Sequence, residues 1–172
     1  MNKPLFALLC SALSALLLAG CSVSYHFNGA SIDYTRIKTI HIQEFQNLAP
    51  TVYPPLATKF SEDLKYRFQT RTRLTQVSNQ GDLNIEGEII GYDITPEAVQ
   101  ENALAAKTKL TITVNVRYTN LVNEEESFED KTFTSFATFD ASQMLTDVQD
   151  QLIEDLVTDL INQIFNATVE NW

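Results

Sequence analysis

Nine residues in the middle of the chain alternate without a fault. Leu110, Ile112, Val114, Val116 and Tyr118 are apolar, and Thr111, Thr113, Asn115 and Arg117 between them are polar. Successive side chains of a strand point to opposite faces, so this segment buries one face and leaves the other wet. Such a strand needs neighbours in a sheet and an apolar cover on one side only. The cover is legible in two places. Leu56, Phe60, Leu64 and Phe68 recur every four residues. Leu145, Val148, Leu152, Leu156, Leu160 and Ile164 form a longer stripe, widened by Ile153, Val157, Ile161 and Phe165. Both stretches have the helical period and one apolar side.

Further strands flank the central one. Ile37, Thr39, Ile40 and Ile42 make residues 36–45 a first strand, β-branched and roughly alternating. Pro50, Pro54 and Pro55 mark a loop, with Pro55 at the first turn of a helix running to about Thr70. Residues 73–77 read as a short strand, and Asn79-Gln80-Gly81-Asp82 as a turn. Residues 83–95 read as a longer strand whose alternation slips. Leu83, Ile85 and Ile89 face one way, then Ile90, Tyr92 and Ile94 take over, with Gly87 and Gly91 flanking the slip as for a bulge. A loop over 97–107 follows. Residues 128–139 return as an aromatic-rich strand after a turn at 123–126. The last helix is expected from about Ala141 to Thr168, with Asp140 and Gln143 as a capping box. The expected fold class is α+β, a mostly antiparallel sheet of four to five strands with two helices packed on one face.

The N-terminal region points to a compartment. Met1-Asn2-Lys3 is a short basic start, and residues 5–18 are apolar but for Ser11 and Ser14. A membrane-spanning helix needs roughly 20 apolar residues, so this stretch reads as the core of a signal peptide. It runs into Leu18-Ala19-Gly20-Cys21, which resembles the bacterial lipobox. The expected organisation is a lipoprotein signal peptide over 1–20, a lipidated tether over 21–35 with Cys21 as the acylated residue, and a single α+β domain over 36–172. Cys10 would be discarded with the signal peptide, so no disulfide is expected. A multiply acylated cysteine anchors a domain to a membrane surface with no spanning segment.

Charge limits the partners. The chain has 12 Lys+Arg against 22 Asp+Glu, a net charge of -10. Nucleic-acid binding rests on clustered cations, so nucleic acid is not expected as a partner. The asymmetry within the chain is larger: residues 21–80 carry seven basic and four acidic side chains, and residues 81–172 carry four and eighteen. Lys59, Lys65, Arg67, Arg71 and Arg73 lie on the first helix and its exit, and Asp147, Asp150, Glu154, Asp155 and Asp159 on the last helix. The primary expectation is partial pairing between neighbouring helices, with a basic patch for anionic headgroups as the sharper reading.

Little chemistry is visible. His26 and His41 are the only histidines, and five glycines form no phosphate loop or dinucleotide fingerprint. Glu86 and Glu88 are the nearest thing to a carboxylate pair, two residues apart and so on one strand face. A solvated edge strand is the plainer account of them. Trp172 is expected to cap the core or an interface. No enzyme, metal or cofactor is expected.

The ordered series of segments resembles a known family. Cys21-Ser22-Val23-Ser24-Tyr25 with Asn28-Gly29-Ala30-Ser31-Ile32 is followed by Ile37-Lys38-Thr39-Ile40 and by the helix over 56–68. Then come Gly81-Asp82-Leu83-Asn84-Ile85-Glu86-Gly87, Leu110-Thr111-Ile112 and Leu152-Ile153-Glu154. Together these resemble the lipopolysaccharide-assembly lipoproteins, the LptE family, over nearly the whole mature chain. The resemblance implies an outer-membrane lipoprotein on the periplasmic side or within a barrel lumen. It implies an LptD-type β-barrel as partner, which the lipoprotein plugs and helps to assemble, and lipopolysaccharide as a second partner delivered to the outer leaflet. Lys107, Lys109, Arg117 and Lys131 are the candidate lipopolysaccharide contacts, taken from the region where basic residues are scarce. The competing expectation is a stand-alone lipid-binding accessory lipoprotein of a phospholipid transport system.

Overall fold

The computed structural model describes residues 32–51, 53–97 and 106–169. The signal peptide, Cys21, His26, most of the 97–107 loop and Trp172 lie outside the described residues. The elements in order are β1 (Thr39–Ile42), β2 (Gln46–Asn47), α1 (Pro55–Arg71), β3 (Thr75–Gln76), β4 (Leu83–Pro96), β5 (Lys107–Asn120), β6 (Phe128–Asp140) and α2 (Leu145–Val169), with a 3-10 turn at Glu124–Glu126 before β6. One sheet runs β3-β1-β4-β5-β6, with β2 also paired to β4. The long ladders β4–β5 and β5–β6 are antiparallel, while the short pairings of β1 and β2 to β4, and of β1 to β3, are parallel. The fold is α+β with a six-stranded, mostly antiparallel sheet.

The strand count exceeds the expected four to five because the segment expected as one strand over 36–45 is two. Between them the backbone N–H of Phe45 leaves the ladder and donates to Ser61 Oγ of α1 at 2.9 Å. That turns the Phe45 ring into the core, 4.8 Å from Phe60. The chain then rejoins β4 as β2, with Gln46 opposite Glu88.

The alternation of β5 holds through its length. Leu110, Ile112, Val114, Val116 and Tyr118 are at most 1% exposed, under a cover from both helices. Leu56, Phe60, Leu64 and Phe68 of α1 are fully buried, and the helices meet where the Phe68 and Phe165 rings lie 5.0 Å apart. The slip in β4 falls between Ile89 and Gly91. Ile90 is the bulged residue and is 39% exposed, so it does not join the core face; Tyr92 resumes that face and is buried. Helix α2 begins at Leu145, later than expected. Asp140 caps a turn instead: its Oδ1 accepts from the N–H and the hydroxyl of Ser142, and its carbonyl accepts from the N–H of Gln143.

Asp82 ties the start of β4 to β1. Its Oδ2 accepts from the backbone N–H of Lys38 at 2.8 Å, and from the N–H and hydroxyl of Thr39 at 2.9 Å each. The Lys38 N–H bond foremost, then the two Thr39 bonds, hold its carboxyl below the ordinary value of 3.8. A depressed carboxyl stabilises the fold above the unfolded-state pKa, and that stability is lost as pH falls through the folded value. Asp82→Ala is therefore expected to cost about 2 kcal/mol at pH 7, the scale of hydrogen bonds to a charged acceptor. Urea midpoints measured from pH 7 to pH 3 should converge for wild type and variant at the acid end. A gap that stays constant with pH would refute the account.

Candidate functional site

The two helices cover one face of the sheet, and the other face has no cover among the described residues. Its composition follows from the registers. β4 contributes Glu86 and Glu88, opposite Arg117 and Asn115 of β5. Along β5 the bare face carries Lys107, Lys109, Thr111, Thr113, Asn115 and Arg117, and β6 adds Thr132, Thr134, Phe136 and Thr138. Uncovered sheet faces are ordinarily polar, and this one is.

At one end of the face, Gln43, Gln46, Glu86, Glu88, Asn115, Arg117 and Asp130 line an open basin of about 230 Å³. Arg117 faces Glu86 at 3.5 Å and Asp130 at 3.9 Å. Glu86 and Glu88 share a face, but β4 lies between β1 and β5, so the edge-strand account of them is wrong. Glu86 is engaged by Arg117, an arrangement that holds a strand pair together across the ladder.

The other end differs. Lys109 Nζ sits 5.6 Å from the centroid of the Phe136 ring, which is 63% exposed. Lys107 is opposite Asp140, whose carboxyl is lowered first by the Ser142 hydroxyl and then by the Ser142 N–H. An ammonium group beside an exposed aromatic ring, with Lys107 two residues away on the same strand face, suits a ligand with anionic and apolar parts.

The four basic candidates are thus not one cluster. Lys107 and Lys109 share an end of the face. Arg117 lies eight residues further along β5, about 27 Å at the strand rise. Lys131 is on the opposite, helix-bearing side, its Nζ 5.0 Å and 5.4 Å from the Phe128 and Phe133 rings. Spacing along the sequence missed Phe136, although its place in the alternation of β6 marks it as outward.

The basic residues of α1 are largely spent within the fold. Lys59 pairs with Asp63 at 2.9 Å and with Glu154 of α2 at 2.5 Å. Lys65 pairs with Glu44, and Arg67 bonds Asn162 while lying 5.9 Å above the Phe165 ring. The expected partial pairing between helices is what the structure has. His41 lies in β1 with Nδ1 3.1 Å from the Val77 carbonyl, a structural place. The hollows described besides the basin, about 130 Å³ beside Ile32 and about 610 Å³ beside β2, each carry several charged or amide side chains. Among the described residues no helix is long and apolar enough to cross a membrane, and no cluster of metal-binding side chains occurs.

Comparison with known proteins agrees with this geometry. A family model described as "LptE: Lipopolysaccharide-assembly" matches residues 37–168. No curated protein matches the chain. Among solved structures, a Chlamydia trachomatis protein superposes with a TM-score of 0.51 at 10% identity, covering 78% of this chain and 99% of that one. A Xanthomonas campestris protein has a TM-score of 0.51 at 11% identity, covering 78% and 85%. Both likenesses show the same fold. An uncharacterized lipoprotein B from Nitrosomonas europaea is 20% identical with a TM-score of 0.49, covering 74% and 79%.

Proposed function

We propose, from the premise that the chain belongs to the LptE lipopolysaccharide-assembly family, that it plugs an LptD-type barrel of the outer membrane, supports that barrel's assembly and assists delivery of lipopolysaccharide to the outer leaflet. Membership itself makes it a non-enzymatic envelope lipoprotein of lipopolysaccharide assembly. Acylation of Cys21 anchors it, and the domain sits on the periplasmic side or inside the lumen.

The observation that carries this reading is the family match over residues 37–168. The surface supports it. A barrel wide enough for an amphiphile has a polar, wet lumen. A sheet whose bare face is rich in threonine, with Arg117 paired to Glu86 and Asp130, presents a polar surface to such a wall. The filled interior supports it too: Leu56, Phe60, Leu64, Ile85, Ile89, Ile112 and Val114 are all fully buried between sheet and helices. An acyl-binding accessory subunit would instead keep that space open.

Two outcomes test the reading. Isolation of the acylated protein from mild detergent is expected to bring down a large barrel protein in stoichiometric amount, and recovery of the lipoprotein alone would overturn it. Of the four basic candidates, Lys107 and Lys109 are the pair placed to meet lipid A phosphates beside Phe136. Lys107→Glu combined with Lys109→Glu is expected to reduce photocrosslinking of lipopolysaccharide from position 136 about tenfold. Arg117→Glu is expected to leave it within about twofold, because that cation is held by Glu86 and Asp130.

A further inference from the structure

The basic residues of α1 and its exit divide in two. Lys59, Lys65 and Arg67 are held by carboxylates and by Asn162. Arg71 and Arg73 are exposed and make no ion pair among the described residues. Two further cations join them from the segment before β1. The backbone N–H of Thr75 donates to the carbonyl of Lys38 at 2.9 Å, which sets the exposed Lys38 beside the chain that leaves α1. The Arg73 guanidinium lies 5.7 Å from the centroid of the Tyr34 ring. Arg36 follows Tyr34 by two residues, and its Nη2 donates to the Val122 carbonyl at 3.2 Å. Four of the chain's 12 Lys+Arg thus gather at one corner of a molecule whose net charge is -10.

An aromatic ring stands with them. Tyr66 is 67% exposed. Its carbonyl accepts from the Thr70 hydroxyl at 2.9 Å, one turn on, so the ring lies on the side of α1 that leads to Arg71 and Arg73. An exposed tyrosine beside unpaired cations is the composition of a surface that enters the headgroup layer of a bilayer. Each cation near an anionic leaflet adds to the attraction, and the effect falls off within a screening length.

The neighbouring carboxylates bound this corner without cancelling it. Asp82 is tied to the main chain of Lys38 and Thr39, so Lys38, Arg71 and Arg73 against Asp82 leave three positive charges and one negative. Glu62 lies nine residues before Arg71, about 13 Å along the helix. Asp33, bonded to Thr35, and Glu124–Glu126 lie on the side of Arg36, the cation that reaches Val122. That acidic turn joins β5 to β6, and β4 separates β5 from β1, so it is about 10 Å or more from β1. Screening over about 8 Å at physiological salt leaves the two regions largely independent.

We propose that Lys38, Arg71, Arg73 and Tyr66 dock onto the phosphate headgroups of an anionic phospholipid bilayer. Cys21 precedes Ile32 by 11 residues, at most about 40 Å of chain. With Cys21 acylated, a point that rests on the function proposed above, the corner where Tyr34 meets Arg73 is held within reach of the bilayer. An acyl anchor alone leaves the domain free to turn, and a basic patch is the second signal that fixes it. The sheet then has a direction. Ile40 of β1 pairs with Leu83 at the start of β4, whereas Thr108 pairs with Pro96 at its end, so docking turns Lys107, Lys109 and Phe136 away from that surface.

Energy transfer on the mature acylated protein tests this. Gln69→Cys, an exposed site two residues before Arg71, carries the donor, and headgroups of phosphatidylcholine vesicles carry the acceptor. Replacing about 30% of the phosphatidylcholine by phosphatidylglycerol is expected to raise the docked fraction about tenfold, and about 0.5 M NaCl to reverse most of the rise. Lys38→Gln combined with Arg71→Gln and Arg73→Gln should hold the rise within about twofold. A donor at Thr146→Cys, in the first turn of α2 at the other end, should show none. Equal transfer on the two vesicles would overturn the proposal, and so would a rise that resists salt or survives the triple substitution. The salt response is read on unaltered cations, so it decides the matter even if the triple variant does not fold. Transfer that needs an added barrel and is the same on neutral vesicles would give the corner to a protein partner and overturn the lipid contact. Flotation with pure phosphatidylcholine vesicles reports the acyl anchor by itself, so loss of anchoring is not mistaken for loss of docking.

Discussion

Gly87→Val is expected to unfold the domain or to cost more than about 3 kcal/mol, beyond the usual range for an overpacked core. A Cβ at Gly87 would lie 2.4 Å from the backbone oxygen of Asn115 and 2.5 Å from the Phe45 ring. The oxygen belongs to the neighbouring strand and cannot give way without parting β4 from β5. The Phe45 ring is held from its other side by Phe60, 4.8 Å away. Relief would therefore have to come from the ladder, from the ring, or from both. At Gly91 a Cβ would lie 3.1 Å from Thr113 Cβ and 3.2 Å from the Asp93 carboxylate, a tight fit and not an overlap, so alanine should cost about 1 kcal/mol there. Urea unfolding of both variants checks the contrast, and a Gly87→Val midpoint equal to that of wild type would refute the packing account.

Phe68→Ala is expected to cost about 3–5 kcal/mol, the range for a buried aromatic ring cut back to a methyl group. Phe68 is fully buried, and its contact with Phe165 is where the C-terminal end of α1 meets α2. Loss of the ring also removes the support under the Phe165 face that Arg67 covers. A domain of this size is stable by about 5–15 kcal/mol, so the variant loses a large part of its margin. Chemical denaturation gives the number directly. A loss below about 1 kcal/mol would mean that the helices are held mainly elsewhere.

These two predictions separate what local pattern reveals from what it hides. Phe68 was legible: it falls on a four-residue stripe, and a stripe can only be a buried helix face. The importance of Gly87 was not. In the sequence it flanks a slip in alternation and reads as part of a bulge, but the bulged residue is Ile90, and Gly87 is small because Phe45 lies on it. Nothing local couples position 45 to position 87. The break that splits the expected first strand into β1 and β2 is hidden for the same reason, because Ser61 of α1 supplies the bond that Phe45 makes.

The candidate site divides likewise. That Lys107, Lys109 and Arg117 share a strand face could be read from their even spacing along β5. The ion pairing of Arg117 depends on Glu86 and Asp130, which only the registers bring alongside, as they set Asp140 opposite Lys107. Lys131 reads as a fourth member of the set, yet it lies opposite Val116, in step with Phe133 along β6, and so sits near Phe128 and Phe133 on the other side.

The amino-acid pattern alone determined that this chain would be a one-sided sheet under two helices, because period-2 and period-3.6 apolar repeats are local and each admits one burial geometry. Strand order, the β4 bulge and the seat of Phe45 on Gly87 were decided only by the tertiary structure. They arise where side chains from distant segments compete for the same space and the same hydrogen bonds, and that competition has no trace in any one segment.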